Sequence, residues 1–132
     1  MTSLFIDEVA QYLEVQGIGI YSTDNNRNLF IGNLPDQPDT AVGVFDTTGG
    51  IPEIEIPLFM PSFQVIVRAA AIDVGETLVA QIRTALHNQY NLTFISNGTY
   101  VYNCNLTAQG GHIGRDDKGR DTFSLNFHCR VR

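Results

Sequence analysis

The sequence predicts a single α+β domain spanning residues 1–132, in which a mostly antiparallel but mixed sheet carries two helices on one face. Three observations favour this class. Apolar residues recur at helical spacing in two segments, and they alternate with period two in several others. The strand-like segments outnumber the helical ones. With 132 residues and 43% hydrophobic content, the chain is long enough for one core and too short for two ordinary domains.

The two helices are predicted from their apolar stripes and their ends. The first covers residues 4–16 and ends at Gly17, with an apolar stripe made of Phe5, Val9, Tyr12 and Leu13. The second covers residues 74–89. There Asp73 and Glu76 form a capping-box-like pair, with Asp73 in place of the usual Ser or Thr. Its stripe comprises Leu78, Val79, Ile82, Ala85 and Leu86.

Five segments are predicted as strands: residues 41–45, 63–68, 91–95, 100–107 and 122–132. The last of these divides cleanly by period two, and its apolar face comprises Phe123, Leu125, Phe127, Cys129 and Val131. Arg68 projects near the end of the central strand. We expect it to be a buried charge, paired with an acid such as Asp73 or with a group on another subunit. Residues 18–21 and 28–31 fit either a hairpin or a lead-in from the first helix to a strand.

Three segments are predicted to be loops. Residues 33–39 contain two prolines and two aspartates, which block regular hydrogen bonding. Residues 46–61 form a long connection with three prolines and several apolar residues, part of which we expect to lie on a neighbouring protein. Residues 109–120 hold four glycines and five charged residues, which predicts an exposed, mobile hairpin loop with an external use. Asn97 and Gly98 predict a turn into the strand at residue 100.

The composition is typical of a soluble protein from a cytosol-like compartment. No apolar run reaches the roughly 18–20 residues of a membrane span, and the N-terminus carries acids where a signal peptide carries bases. We therefore expect Cys104 and Cys129 to be buried thiols, with a disulfide as the alternative if the register brings them opposite.

The net charge of −6 hides an asymmetry between the two halves of the chain. Residues 1–66 carry a net charge of −8, whereas residues 67–132 carry +2. Patches of opposite sign suit association with copies of the same chain or with other proteins. An ordinary solvated surface with uneven charge is the alternative interpretation.

The pattern of reactive residues does not indicate an enzyme, a metal site or a cofactor. The three histidines show no metal-ligand spacing, and we expect His112 and His128 to be ordinary surface residues. Asp116 and Asp117 are adjacent on the predicted loop, where paired carboxylates are too solvated for acid–base catalysis. The glycines lie between two strands and not before a helix, so the pattern is not a phosphate-binding loop. No dense basic stripe indicates a sequence-specific DNA binder.

Four segments resemble a family of small phage virion proteins, the minor capsid or tail-completion proteins, which are similar to the tail terminators of long-tailed phages. The segments are residues 34–39 (LPDQPD), 46–50 (DTTGG), 63–68 (FQVIVR) and 114–127 (GRDDKGRDTFSLNF). Each motif alone is short and built from common turn residues. Their order and spacing together cover residues 30–130, nearly the whole chain.

The resemblance implies a structural virion protein of the tail or neck, made in the host cytoplasm, with no enzymatic activity and no membrane. Its copies are expected to form a hexameric ring that caps the tail tube, ends tail polymerisation and offers the finished tail to the head connector. DNA is expected to pass through the lumen without sequence-specific binding, which suits an acidic protein. The expected protein-interaction residues are His112, Arg115, Asp116, Asp117, Lys118, Arg120, Arg68, Glu53 and Glu55. The alternatives are another neck or head-completion adaptor and, from a different class, a small ligand-binding α+β domain.

Overall fold

The computed structural model describes residues 5–47, 60–107 and 110–132. The helices are α1 (Phe5–Val15) and α2 (Ile72–Leu86). The strands are β1 (Leu29–Ile31), β2 (Ala41–Thr47), β3 (Ser62–Ala69), β4 (Gln89–Thr93), β5 (Tyr100–Leu106), β6 (Gly111–Arg115) and β7 (Asp121–Val131). Within the described residues, neither helix has the combined length and apolar character that crossing a membrane requires.

All these strands belong to one mixed sheet, which confirms the predicted α+β class. Its order is β1-β2-β3-β7-β5-β4, and β6 also pairs with β7. β1 runs parallel to β2, whereas every other pair is antiparallel. β7 pairs with β3 along one edge. Its other edge is shared by β6, opposite residues 121–124, and β5, opposite residues 127–131.

The core lies between one face of the sheet and the two helices. The apolar face of β7 is buried, as the alternation predicts, and it meets the apolar face of β3 through the pairs Phe123–Val67, Leu125–Val65 and Phe127–Phe63. The rings of Phe63 and Phe127 stack with their centroids 5.1 Å apart. Buried side chains of both helices join the same cluster, among them Val9 and Leu13 of α1 and Val79 and Ile82 of α2. Both helices therefore cover the same face, as predicted, and removing these apolar surfaces from water is the main force that holds the layers together.

A buried carboxylate ties α1 to the turn between β4 and β5. Glu8 is 2% exposed, and it accepts hydrogen bonds from the Thr99 main-chain N at 2.7 Å and from Thr99 Oγ1 at 2.9 Å. The turn before Thr99 uses Asn97 at φ 58° and a hydrogen bond from Gly98 N to Ile95 O at 3.1 Å. The turn predicted at Asn97 and Gly98 is thus confirmed.

The ends of α2 differ from the prediction. The helix begins at Ile72, and no side chain caps it, so the capping box built on Asp73 is wrong. Asp73 instead lies in the first turn, where its negative charge interacts favourably with the helix dipole. The helix also ends at Leu86, before the predicted residue 89, because His87 is extended and Asn88 has φ 61°, and these two residues lead into β4 at Gln89.

The segments before β1 and at β4 differ in how well they follow the prediction. For residues 18–21 and 28–31, the alternatives are a hairpin and a lead-in from the first helix to a strand. Residues 18–21 form no strand, and the main-chain N atoms of Asn28 and Leu29 donate to Ile20 O at 3.1 and 3.2 Å. Residues 29–31 then run parallel to β2, so the lead-in alternative is correct and the hairpin is wrong. β4 lies two residues earlier than the predicted strand at 91–95.

Cys104 and Cys129 face each other across β5 and β7, and both are buried and free. Their expected state as two buried thiols is confirmed. The hydrogen bond with Cys104, together with burial, raises the pKa of the Cys129 thiol. Of the long connection predicted at residues 46–61, residues 46–47 extend β2, and residues 48–59 lie outside the described residues.

Gly75 allows α2 to pack directly on β7. An added Cβ at this position would lie 2.1 Å from Cε1 of Phe123, which is far closer than atoms can approach. Phe123 is 3% exposed and has no room to move away.

We expect Gly75→Ala to destabilise the protein by about 1–3 kcal/mol through overpacking, although alanine ordinarily favours a helix over glycine. Urea unfolding followed by circular dichroism measures the difference. Gly111→Ala is the matched control, since its added Cβ would meet nothing within 4 Å, and its effect should stay below about 0.5 kcal/mol. A Gly75→Ala protein as stable as wild type would contradict the close contact between α2 and β7.

Candidate protein-interaction site

The glycine-rich segment near the C-terminus forms an ordered hairpin. β6 pairs with the start of β7, and residues 116–120, the hairpin tip, connect them. Asp116 closes this tip: its N donates to Arg120 O at 2.9 Å, and its Oδ1 accepts bonds from Lys118 N at 3.0 Å and Arg120 N at 2.9 Å. Gly119 has φ +77°, a conformation that glycine adopts without strain. The expectation of an open loop is therefore wrong for residues 111–115, because β7 satisfies their backbone.

Arg68 ties residues 33–39, the proline loop, to β3 on the face of the sheet opposite the helices. The side chain is buried, with the whole residue 6% exposed. Its three acceptors are the main-chain oxygens of Pro35 and Pro38, each at 2.6 Å, and of Asp39 at 3.1 Å. Burial lowers the pKa of the Arg68 guanidinium. The expected burial of Arg68 is confirmed, but Asp73 is not its partner, since carbonyl oxygens of the proline loop take that place.

Arg120 is buried between the hairpin tip and the proline loop. Its Nε lies 2.8 Å from Asp116 Oδ2, its Nη1 2.5 Å from Asp36 O and 3.3 Å from Asp39 Oδ1, and its Nη2 3.0 Å from Asp36 Oδ1. Lys118 forms a further ion pair with Asp36. Hydrogen bonds from Lys118 and Arg120 lower the pKa of the Asp36 carboxyl. The expectation that Arg120 is a solvated loop residue is wrong, because three carboxylates compensate its charge and permit its burial.

A second buried carboxylate lies at the base of the hairpin. Asp121 is 2% exposed, and its Oδ1 lies 2.9 Å from His112 Nε2 and 3.4 Å from Arg115 Nε. The His112 ring packs edge-on against Phe123, with the centroids 5.1 Å apart. The hydrogen bond from His112, assisted by Arg115, lowers the pKa of Asp121. His112 therefore supports the hairpin and is not a residue of a mobile loop.

The structure gathers most of the predicted interaction residues at one end of the sheet. Those beside the proline loop are Arg68, Asp116, Lys118 and Arg120, and those at Asp121 are His112 and Arg115. Asp117 is exposed and makes no hydrogen bond or ion pair with the described part of the chain. Glu53 and Glu55 lie outside the described residues.

Sequence reasoning missed the acids that organise this end of the sheet. Asp36, Asp39 and Asp121 lie in segments that carry the family resemblance, but the pattern assigns them no interaction. The proline-rich loop is otherwise predicted only as a break in regular structure, and Asp121 precedes the predicted last strand. The available signal was the opposite net charge of the two halves of the chain, with acids in excess in the first half and bases in excess in the second. The charge difference does not reveal which acid pairs with which base, because Arg120 is 81 residues from Asp39 and 84 residues from Asp36.

The charges at this end of the sheet nearly cancel, so it carries no excess of positive charge that would attract an anion. Its bases are Arg68, Arg115, Lys118 and Arg120, and its acids are Asp36, Asp39, Asp116, Asp117 and Asp121. What the hairpin offers to solvent is Ile113, which is 63% exposed, the Arg115 side chain, which is 66% exposed, and Asp117. A rigid, mixed polar and apolar surface of this kind suits contact with another protein.

The described residues also contain one serine–histidine contact, with Ser62 Oγ 3.0 Å from His128 Nδ1. No carboxylate of the described residues bonds to His128, so this pair lacks the third member of a catalytic triad. No group of three or more His, Cys, Asp or Glu side chains in the same part of the chain is arranged to hold a metal ion.

We expect the stability of the hairpin to depend on pH through Asp116. Hydrogen bonds from Arg120 hold its pKa below the ordinary value of 3.8. A lowered folded-state pKa gives stabilisation that is complete above the unfolded-state pKa and is lost as pH falls through the folded-state pKa. Asp116→Asn should therefore be less stable than wild type at pH 7, and the difference should shrink as the pH falls below about 4.

Urea unfolding at pH 7, 5 and 3 measures this difference. Asp117→Asn is the control, because the adjacent carboxylate is exposed and makes no bond with the described residues, so its loss should change little at any pH. A deficit in Asp116→Asn that is equal at all three pH values would argue against the ionised carboxylate as the cause.

The comparisons with known proteins agree with the resemblance noted in the sequence. The family model of the bacteriophage tail terminator protein matches residues 12–132. A chain in the virion of a native gene transfer agent (GTA) particle has a similar fold, with a TM-score of 0.63, 13% sequence identity and 98% of each chain covered. At that identity the likeness shows the fold alone. A comparison with curated protein sequences finds no significant match.

The matched region contains both sides of the candidate site, the proline loop and the hairpin, as well as the whole sheet. Members of this family are structural components of the virion. The chain therefore belongs to the bacteriophage tail terminator family and is a structural protein of the phage tail.

Proposed function

We propose that copies of this protein form a hexameric ring that caps the tail tube, ends tail polymerisation and presents the surface on which the head is joined. The match of the terminator family model to residues 12–132 carries this proposal. Such a role requires a stable shape and two kinds of interface, and it requires no cofactor and no reaction. A closed ring of identical subunits uses two unlike surfaces in a head-to-tail contact, and the uneven charge of the two halves is compatible with that.

We assign the axial contact, with the tail tube or the head connector, to the hairpin. Its exposed residues Ile113, Arg115 and Asp117 stand on a support that buried ion pairs hold in place. A surface that is already rigid loses little conformational entropy when it binds, so even a small contact can be specific. DNA crosses the lumen of the proposed ring without being read, and the net charge of −6 limits its attraction to phosphates.

The ring is tested most directly on purified protein. Mass photometry should detect a hexamer, alone or after addition of tail-tube protein, and negative-stain images should show a six-fold ring with an open centre. The measurement also addresses the alternatives. A protein that stays monomeric in both conditions would favour a ligand-binding domain, and a ring that binds the connector but never the tube would favour a neck adaptor.

The axial contact is tested with Ile113→Asp combined with Asp117→Lys. We expect this variant to fold and to form rings, since neither side chain is buried, but to fail in tail completion. Phage carrying it should produce overlong or headless tails in electron micrographs of lysates.

Val15→Asp combined with Asp24→Lys is the matched control. It makes the same two chemical changes at exposed positions near α1, where Val15 is 79% exposed. Tails of normal length joined to heads in the hairpin variant would exclude the hairpin as the axial contact.

A further inference from the structure

Two pairs of like-charged residues have no ionic partner within the described part of the chain. Asp73 and Glu76 are exposed acids on α2, and Arg130 and Arg132 are exposed bases at the end of β7. Most other charged side chains described above are paired internally, at the proline loop and the hairpin. The two pairs carry opposite charges. The acids lie in a groove, and the bases lie on a patch of aromatic side chains.

The acids lie in a groove between the two helices. The groove has a volume of about 880 Å³, and α1 contributes Tyr12 to its wall while α2 contributes Ala80 and Ala85 along its length. Asp73 and Glu76 stand at the end nearest the start of α2, and no basic residue lines the groove. We call this surface the inter-helix groove. Its size is sufficient to receive a few large side chains.

The bases lie in an aromatic patch on the opposite face of the sheet. Arg130, Asn103 and Tyr90 occupy one row across β7, β5 and β4, next to the row of Cys129, Cys104 and Gln89 that faces the helices. Because successive residues of a strand point to opposite faces, the Tyr90 row faces away from the helices. Tyr90 is 55% exposed.

The same patch continues to the end of the chain. Arg132 N donates to Tyr100 O at 2.9 Å, and the rings of Tyr100 and Tyr102 meet edge to face with centroids 5.0 Å apart. We call these five residues the tyrosine–arginine patch: Tyr90, Tyr100, Tyr102, Arg130 and Arg132. Tyrosine and arginine are among the residue types that most often dominate binding energy in protein interfaces.

We propose that the tyrosine–arginine patch of one copy docks in the inter-helix groove of the next copy and forms the lateral contact of the ring. The arginines then pair with Asp73 and Glu76, and the tyrosine rings pack on the alanines of α2. Since the two surfaces lie on opposite faces of the sheet, one neighbour related by a two-fold axis cannot fill both. The contact is therefore head-to-tail, and a head-to-tail contact builds a ring when the rotation from one copy to the next closes. This inference rests on the proposed ring and adds which surfaces build it.

Charge reversal on each side tests the contact. Asp73→Lys combined with Glu76→Lys, and separately Arg130→Glu combined with Arg132→Glu, should each abolish the ring, because like charges then meet in every contact. Mixed in equal amounts, the two variants should regain rings. The reversed groove of one then meets the reversed patch of the other, and the remaining wild-type surfaces also match. Mass photometry of each variant and of the mixture is the measurement, with circular dichroism to verify folding.

Control variants reverse charges outside the two surfaces. Asp24→Lys and Arg83→Glu should retain the ring, since neither residue belongs to the groove or the patch. Rings in both reversed variants would overturn the lateral contact while leaving the proposed ring intact. Loss of rings without recovery in the mixture would likewise overturn the pairing, and would instead point to a different protein as the occupant of the groove. A wild-type protein that is monomeric alone and with tail tube would refute the ring itself.

Discussion

The position of β7 between three partner strands is the constraint on which the rest of the fold depends. One edge of this strand is occupied by β3, and the other is divided between β6 and β5. Its inward row supplies Phe123, beneath Gly75 of α2, and Phe127, which stacks on Phe63. The strand therefore sets the distance of α2 from the sheet and carries the hairpin. A one-residue slip would turn its entire apolar row to solvent, so the register is strongly specified.

The face of the sheet without helices is organised by buried arginines in place of a third layer. Arg68 and Arg120 are both 6% exposed, and a buried cation without partners would cost several kcal/mol. The proline loop provides those partners, through carbonyl oxygens for Arg68 and through Asp36 and Asp39 for Arg120. The aspartates of the proline loop therefore stabilise the fold, because they compensate the charge of the buried Arg120. The hairpin projects rigidly because the charges at its base are already satisfied.

The sequence predicts the elements whose apolar residues follow a local pattern. The elements and contacts that it does not predict depend on pairing between residues far apart in the chain. The alternation in residues 122–132 identified β7 because one face is buried along its whole length. β6 escaped prediction because glycines at residues 111 and 114 give no alternation, so only its pairing with β7 makes it a strand. The cap at Asp73 failed because α2 starts one residue before it. Besides Asp116, which is four residues away, the burial of Arg120 depends on Asp36 and Asp39, which are more than 80 residues away and which no spacing rule connects to it.

A ring that also binds partners along its axis needs two kinds of contact, lateral contacts between copies and axial contacts with other proteins. The charges of the chain are arranged differently at the two proposed surfaces. Lateral contacts in the proposed ring join identical copies, so complementary unpaired charges can both be encoded in the same chain, on the inter-helix groove and the tyrosine–arginine patch. An axial partner is a different protein, and unpaired positive charge on the hairpin would attract competing polyanions, including the DNA in the lumen. The basic side chains of the hairpin are paired with acids of the same chain, which avoids that competition. The specificity of the axial contact then depends on the shape of the hairpin and on a few exposed side chains. Salt should therefore weaken the lateral contact more than the axial one, because screening acts on charges that are left unpaired at the surface.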